Sequence, residues 1–167
     1  MSTYASVREM KKILTNMSGW LEKATAFAET KKFEVDSMLT WRLAPDMLPF
    51  SFQIQSCCDS AKYAASRAAG KESPSHPDNE TTVAALRQRI ATVVAYLDTF
   101  TEKDFEGAHD RMISLPRWEG KKMAANDYVT EHAQPNFFFH AMGTYLLLRH
   151  NGVDIGKRDF LGQLNYR

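Results

Sequence analysis

From Tyr4 to Ala28, apolar side chains recur at steps of three and four: Val7, Met10, Leu14, Met17, Leu21, Ala24 and Phe27. Lysines and glutamates fill the positions between them. This period matches one face of an α-helix, so the spacing predicts an amphipathic helix that needs partners to cover its stripe. Gly19 lies inside the run and weakens it without breaking it.

The same period returns three times. Pro49 suits the first position of a second helix running to Ala69, with Gly70 as its stop. A third helix is expected over Thr82–Phe100. Its stripe is Val83, Leu86, Ile90, Val93, Leu97 and Phe100, with Arg87, Gln88 and Arg89 on the other side. A fourth lies within Asp127–His150. Pro135 divides a short leading turn from its main part, and Asn151-Gly152 stops it. Between the first two helices, Asp36 is placed to cap a short turn from Met38 to Arg42, ended by Ala44-Pro45. "GKESPSHPDNE" reads as a polar loop. "RMISLP" and "KKMAAN" flank "RWEG" and read as a short β-hairpin with Trp118 and Gly120 near its turn. These elements predict a single all-α domain over residues 1–167. It is a four-helix bundle with one longer crossover and a short β-hairpin between helices 3 and 4.

Charge and composition then exclude classes of partner. The 21 basic and 20 acidic residues leave a net charge of +1, with no basic surplus to hold nucleic acid. No apolar run approaches bilayer length, so no membrane partner is expected. The N-terminus reaches charged residues within its first ten positions and has no signal-peptide apolar region. Cys57 and Cys58 are adjacent, which suits neither a disulfide framework nor a zinc site, and the expected compartment is the cytoplasm.

The chemistry-bearing candidates sit on the second and fourth helices. His140 lies among Phe137, Phe138, Phe139, Met142, Tyr145, Leu146, Leu147 and Leu148, on a helix that must be buried on most sides. Asn136, Gly143, Thr144 and Leu147 share its stripe, which is small and polar enough to line a pocket. The alternative is a core histidine bonded to a neighbouring side chain, with Gly143 allowing close packing. Asp59 stands among small residues in "QIQSCCDSAKYAASR". Turned inward, it meets His140, as a pair of metal ligands or as a carboxylate that fixes the imidazole tautomer. Turned outward, it pairs with Lys62 at i, i+3. "GVDIGKRD" lacks the spacing of a phosphate-binding loop, and there is no His-Glu-x-x-His. His76 and His109 read as solvated, whereas His132 precedes the phenylalanine run and can approach the bundle's mouth. In the tail, Lys157, Arg158 and Asp159 are expected to pair across the bundle end, with Phe160 and Leu161 anchoring it by burial.

"LAPDMLPFSFQIQSCCDSAKYAASRAAG" and "PNFFFHAMGTYLLLRHNGVDIGKRDFLG", with the overall length, resemble an uncharacterised family of bacteria and fungi, a domain of unknown function. That family belongs to the DinB/YfiT-like superfamily, whose members are regarded as metalloenzymes. The resemblance covers nearly the whole chain. It implies a DinB-like bundle of up-down-down-up topology, usually a homodimer. The superfamily's metal site takes one histidine from the second helix and a His-x-x-x-His pair from the last. Here the second helix offers Gln53, Gln55 and Asp59 instead, and the positions four away from His140 are Asn136 and Thr144.

Three functions follow as expectations. The first is a DinB-like protein of unknown activity, with a polar pocket for a small molecule formed by Asp59, Asn136, His140, Tyr145 and Arg149. The second is a hydrolase or thiol-dependent S-transferase using a divalent metal (Zn, Ni, Mn or Fe) held by His140 and Asp59, with Asn136 as a further donor. The third is a non-catalytic dimeric binding module.

Overall fold

The computed structural model describes residues 2–166. Four long helices form its frame: α1 (Thr3–Lys31), α2 (Phe50–Ala69), α3 (Val83–Leu97) and α5 (Gln134–His150). Between α3 and α5 lie a two-stranded antiparallel pair, β1 (Met112–Ile113) and β2 (Met123–Ala124), and a single helical turn, α4 (Ala125–Asp127). A short α6 (Lys157–Leu161) follows α5. In the hairpin Met112 faces Ala124 and Ile113 faces Met123, within the two runs expected from the sequence.

The α1 stripe is buried from Val7 through Ala24, while Phe27 remains half-buried. Ser2 caps this helix, its hydroxyl accepting from the Ala5 amide at 3.2 Å. The central helix is α2, which packs against α5, α3 and α1. Its small residues Cys57, Cys58, Ala61, Ala64, Ala65 and Ala68 are all fully buried, so three neighbours can approach it closely. Gly70 ends it in the left-handed conformation at φ +65°. A Cβ there would also lie 2.8 Å from Arg111 Nε, so any other residue would have to displace that side chain.

Two local expectations are corrected. Asp36 does not cap its own turn, a 3₁₀ segment over Val35–Thr40 that has no side-chain cap. Its carboxylate instead accepts from the Val83 amide at 2.7 Å, and Thr82 accepts from Ala85 at 3.0 Å. The crossover brings Asp36 to the start of α3, where unpaired amides and the positive end of the helix dipole attract a carboxylate. Pro135, for its part, does not separate a turn from the main helix. Tyr128–Ala133 form a π-helical turn that runs directly into α5. Proline has no N–H and crowds the carbonyl four residues back, and the wider turn accommodates both.

The tail is fixed partly by the residues expected. Phe160 stacks on Trp20 at 5.3 Å, but Leu161 stays exposed, and Val153 and Ile155 bury instead. Asp159 accepts from Lys23 Nζ at 2.7 Å and from the Gly156 amide at 2.8 Å. No helix among the described residues is long and apolar enough to cross a membrane.

Candidate functional site

On α2, Ser56, Asp59, Ser60, Tyr63 and Arg67 recur at steps of three and four and therefore share one face. They line a cavity of about 400 Å³. Its opposite wall comes from Leu115, Pro116 and Arg117 after β1, from Tyr128 and His132 of the π-helical turn, and from Asn136 at the start of α5. Asp78, in the loop between α2 and α3, closes one side.

One end of the cavity is a compensated charge cluster. Asp59 accepts from Arg89 Nη2 at 2.9 Å and from Lys62 Nζ at 2.8 Å. Arg89 also pairs with Asp78, and with Glu80 Oε1 at 3.0 Å. Lys62 is buried and donates to His76 Nδ1 at 3.0 Å, which ties the polar loop to the bundle. Burial opposes the charge on Glu80, but hydrogen bonds from Gln55 and Arg89 outweigh it and hold its carboxyl below the ordinary range. Burial would likewise lower Arg89, and the carboxylates around it raise it instead. His76 is held below the ordinary imidazole value by burial, then by Lys62 and Arg89. Asp59 thus keeps the i, i+3 contact with Lys62, turned inward, and adds Arg89 from the neighbouring helix.

His140 lies in a different environment. Its Nδ1 donates to Gln53 Oε1 at 2.8 Å, and Gln53 Nε2 donates to the Leu48 carbonyl at 2.7 Å. Phe52 and Phe139 meet the imidazole edge to face, and burial lowers its pKa. Gly143 leaves room for the amide, since a Cβ there would lie 3.0 Å from Gln53 Oε1. Of the five pocket candidates, only Asp59 and Asn136 line the cavity; Asn136 Nδ2 donates to Ser60 Oγ at 2.8 Å. Tyr145 packs between Trp20 and Phe160, and Arg149 is exposed beside Asp154. Asp59 and His140 are therefore each committed to separate partners.

These residues do not fit a divalent metal held by Asp59 and His140. Arg89 and Lys62 both engage Asp59 Oδ1 in the cavity wall, whereas His140 stands outside the cavity lining and is held by Gln53, so the two do not face one site. Among the described residues no three His, Cys, Asp or Glu side chains gather as a ligand set. The thiols offer no nucleophile either. Burial raises Cys57 well above its ordinary value and pushes Cys58 up to about 12.

The other end of the cavity is basic and aromatic. The Arg67 guanidinium lies 4.2 Å from the Tyr63 ring centre and donates to the Tyr128 hydroxyl at 2.7 Å. Tyr128 stacks on His132 with ring centres 5.4 Å apart, and Arg117 donates to His132 Nε2. Burial, then Arg117 and Arg67, lowers the His132 pKa. Neither arginine has a carboxylate within ion-pair distance among the described residues. Sequence reasoning passed over Arg67, Arg117 and Tyr128. Arg67 was within reach, because it continues the polar spacing of Asp59 and Tyr63, whereas Arg117 sits in an irregular connection with no period to place it.

The helical frame with its intervening hairpin is that of a DinB-like protein, as a solved relative shows. A crystal structure of a DinB family member from Shewanella denitrificans matches all of this chain and 99% of its own, at 43% identity and a TM-score of 0.93. The model of the family described as domain of unknown function (DUF1993) matches residues 3–161, and the chain belongs to that family. No curated protein matches it.

Proposed function

We propose that this DinB-like protein binds a small polar molecule in the α2 cavity. The observation that supports it is the convergence of Asp59, Asn136, Arg67 and Arg117 on one volume of about 400 Å³. Small-molecule sites typically occupy roughly 300–1,000 Å³ and combine apolar walls with a few polar groups. Phe52, Tyr63 and Leu115 supply the apolar wall here. Filling the cavity tests the reading. Ser56 is half-buried on the lining face, so Ser56→Phe occupies the space without entering the core. In a metabolite screen read by thermal shift, compounds that stabilise the wild type should fail to stabilise this variant. Equal shifts in both proteins would sink the proposal.

A second reading, pairing of two copies through α5, is supported by a separate observation. Phe139, Met142 and Leu146 are exposed at helical spacing along one face, beside exposed Phe52 and Leu48. Exposed Glu131 lies just before this face, and exposed Arg149 and His150 lie at its end. An antiparallel pair of α5 helices sets the acidic end of each copy against the basic end of the other, with the apolar residues between. Sedimentation should find a dimer that Phe139→Glu converts to a monomer. A monomeric wild type at high concentration would dispose of this reading.

A further inference from the structure

We propose that the ligand of the α2 cavity carries an oxyanion, a carboxylate or a phosphate group, that docks between Arg67 and Arg117. This inference rests on the cavity being the working site, and the charge distribution within it supplies the rest. At the Asp59 end, three carboxylates (Asp59, Asp78, Glu80) are met by two buried cations, Arg89 and Lys62. Adding an anion there would oppose the one negative charge left over. At the other end two guanidinium groups face the same volume with no carboxylate between them.

Among the described residues the hydrogen bonds these arginines make are to neutral groups, the Tyr128 hydroxyl and the His132 imidazole. Such bonds orient a guanidinium without cancelling its charge. Arg67 is further fixed by lying over the Tyr63 ring, and a planar fork held in place is the side chain best suited to a carboxylate or phosphate. Ser60, Ser56 and Asn136 line the same cavity and add hydrogen-bonding groups. His132 faces both arginines, is stacked on Tyr128 and is edged by Trp118 at 5.7 Å. Among the described residues the charged groups that act on its ring are Arg117 and Arg67, so a bound anion would bring the opposing negative charge. The imidazole therefore reports occupancy: an anion offsets the two guanidinium groups and moves its titration upward.

The experiment is an NMR titration of the whole protein, following the His132 ring and the Ser56 and Ala133 amides. Four separate probes are used: inorganic phosphate, propionate, ethylammonium and glycerol. Phosphate or propionate, whichever chemistry the site prefers, should shift the His132 signals and raise its titration midpoint. Arg117→Gln, on an exposed turn, should weaken that binding by about tenfold to a hundredfold, the effect of losing one charge-assisted hydrogen bond. Arg117→Lys should restore part of it. Arg67→Gln should weaken it further, provided its amide spectrum remains that of the folded protein. Anion shifts unchanged in both glutamine variants would mark adventitious binding and overturn the inference. Shifts of Ser56 and Ala133 with ethylammonium or glycerol, and none with the anions, would overturn it while leaving the cavity as a ligand site. Silence from all four probes would remove both.

Discussion

Two polar sites lie less than two helical turns apart on α2, and the fold treats them in opposite ways. At Gln53 a neutral amide and a neutral imidazole satisfy one another, with no ion within their hydrogen bonds. At Asp59 the chain brings together two buried cations and three carboxylates from α2, α3 and the loop between them. The first arrangement costs little to bury and fixes how α2 meets α5. The second has a large desolvation cost, offset only while every partner is present. Neither brings Asp59 and His140 together as one site. The uncompensated positive charge lies across the cavity, at Arg67 and Arg117, away from the residue types that first suggest a metal site.

The charged site should be the more fragile. Arg89→Met removes the cation shared by Asp59, Asp78 and Glu80 while keeping much of the side-chain volume. A loss of about 3–5 kcal/mol is expected, the usual cost of breaking a buried ion pair by removing one partner. Urea unfolding measures it, and a loss below 1 kcal/mol would mean the carboxylates turn out to water and the cluster is not structurally demanding.

At the neutral site, His140→Phe leaves Gln53 Oε1 without its donor and should cost about 1–3 kcal/mol. An isolated core histidine would have tolerated the change. Gln53→Leu should cost a similar amount, and the double variant should lose clearly less than the two together. Strict additivity would show that the pair is not coupled.

Acidity provides the smallest and most diffuse comparison. His76, His132 and His140 are all held below the ordinary imidazole value of 6.5, in each case first by burial. As pH falls below 6.5 the unfolded chain takes up protons that the folded chain does not, so stability should decline there. Above that value both states are neutral and these groups contribute nothing. The carboxylates act later. Glu80, Asp159 and Asp104, the last held at about 2 by Lys71 and Thr101, stabilise the fold above their ordinary values and lose that effect as pH falls through the folded ones. Stability measured against pH should therefore show an imidazole limb, shallower in the Gln53→Leu/His140→Phe protein, before the carboxylate limb. A flat profile through the imidazole range would contradict the burial of these rings.

Much of the frame was legible in the chain alone. The stripes of α1 and α3, the Gly70 stop and the two hairpin runs each depend on spacing or on one residue's conformational freedom, which are local properties. The candidate site was legible only in part. Periodicity placed Asp59 and Asn136 on the right helices but could not set the rotation of α2 against α3, and that rotation gives Asp59 to Arg89 rather than to His140. Arg89 itself appeared on the outward side of its helix because charge usually marks the solvent face. Here the polar loop folds over it and supplies two of its three carboxylates.

What the sequence determined by itself was therefore the set of helices and their apolar faces, because hydrophobic period and backbone geometry act within one element. What only the tertiary structure decided was which charges meet. Asp36 capping α3, Lys62 reaching His76 of the loop, and Arg67 facing the same cavity as Arg117 all join residues from separate elements. Electrostatic energy depends on distance and burial, and packing sets both.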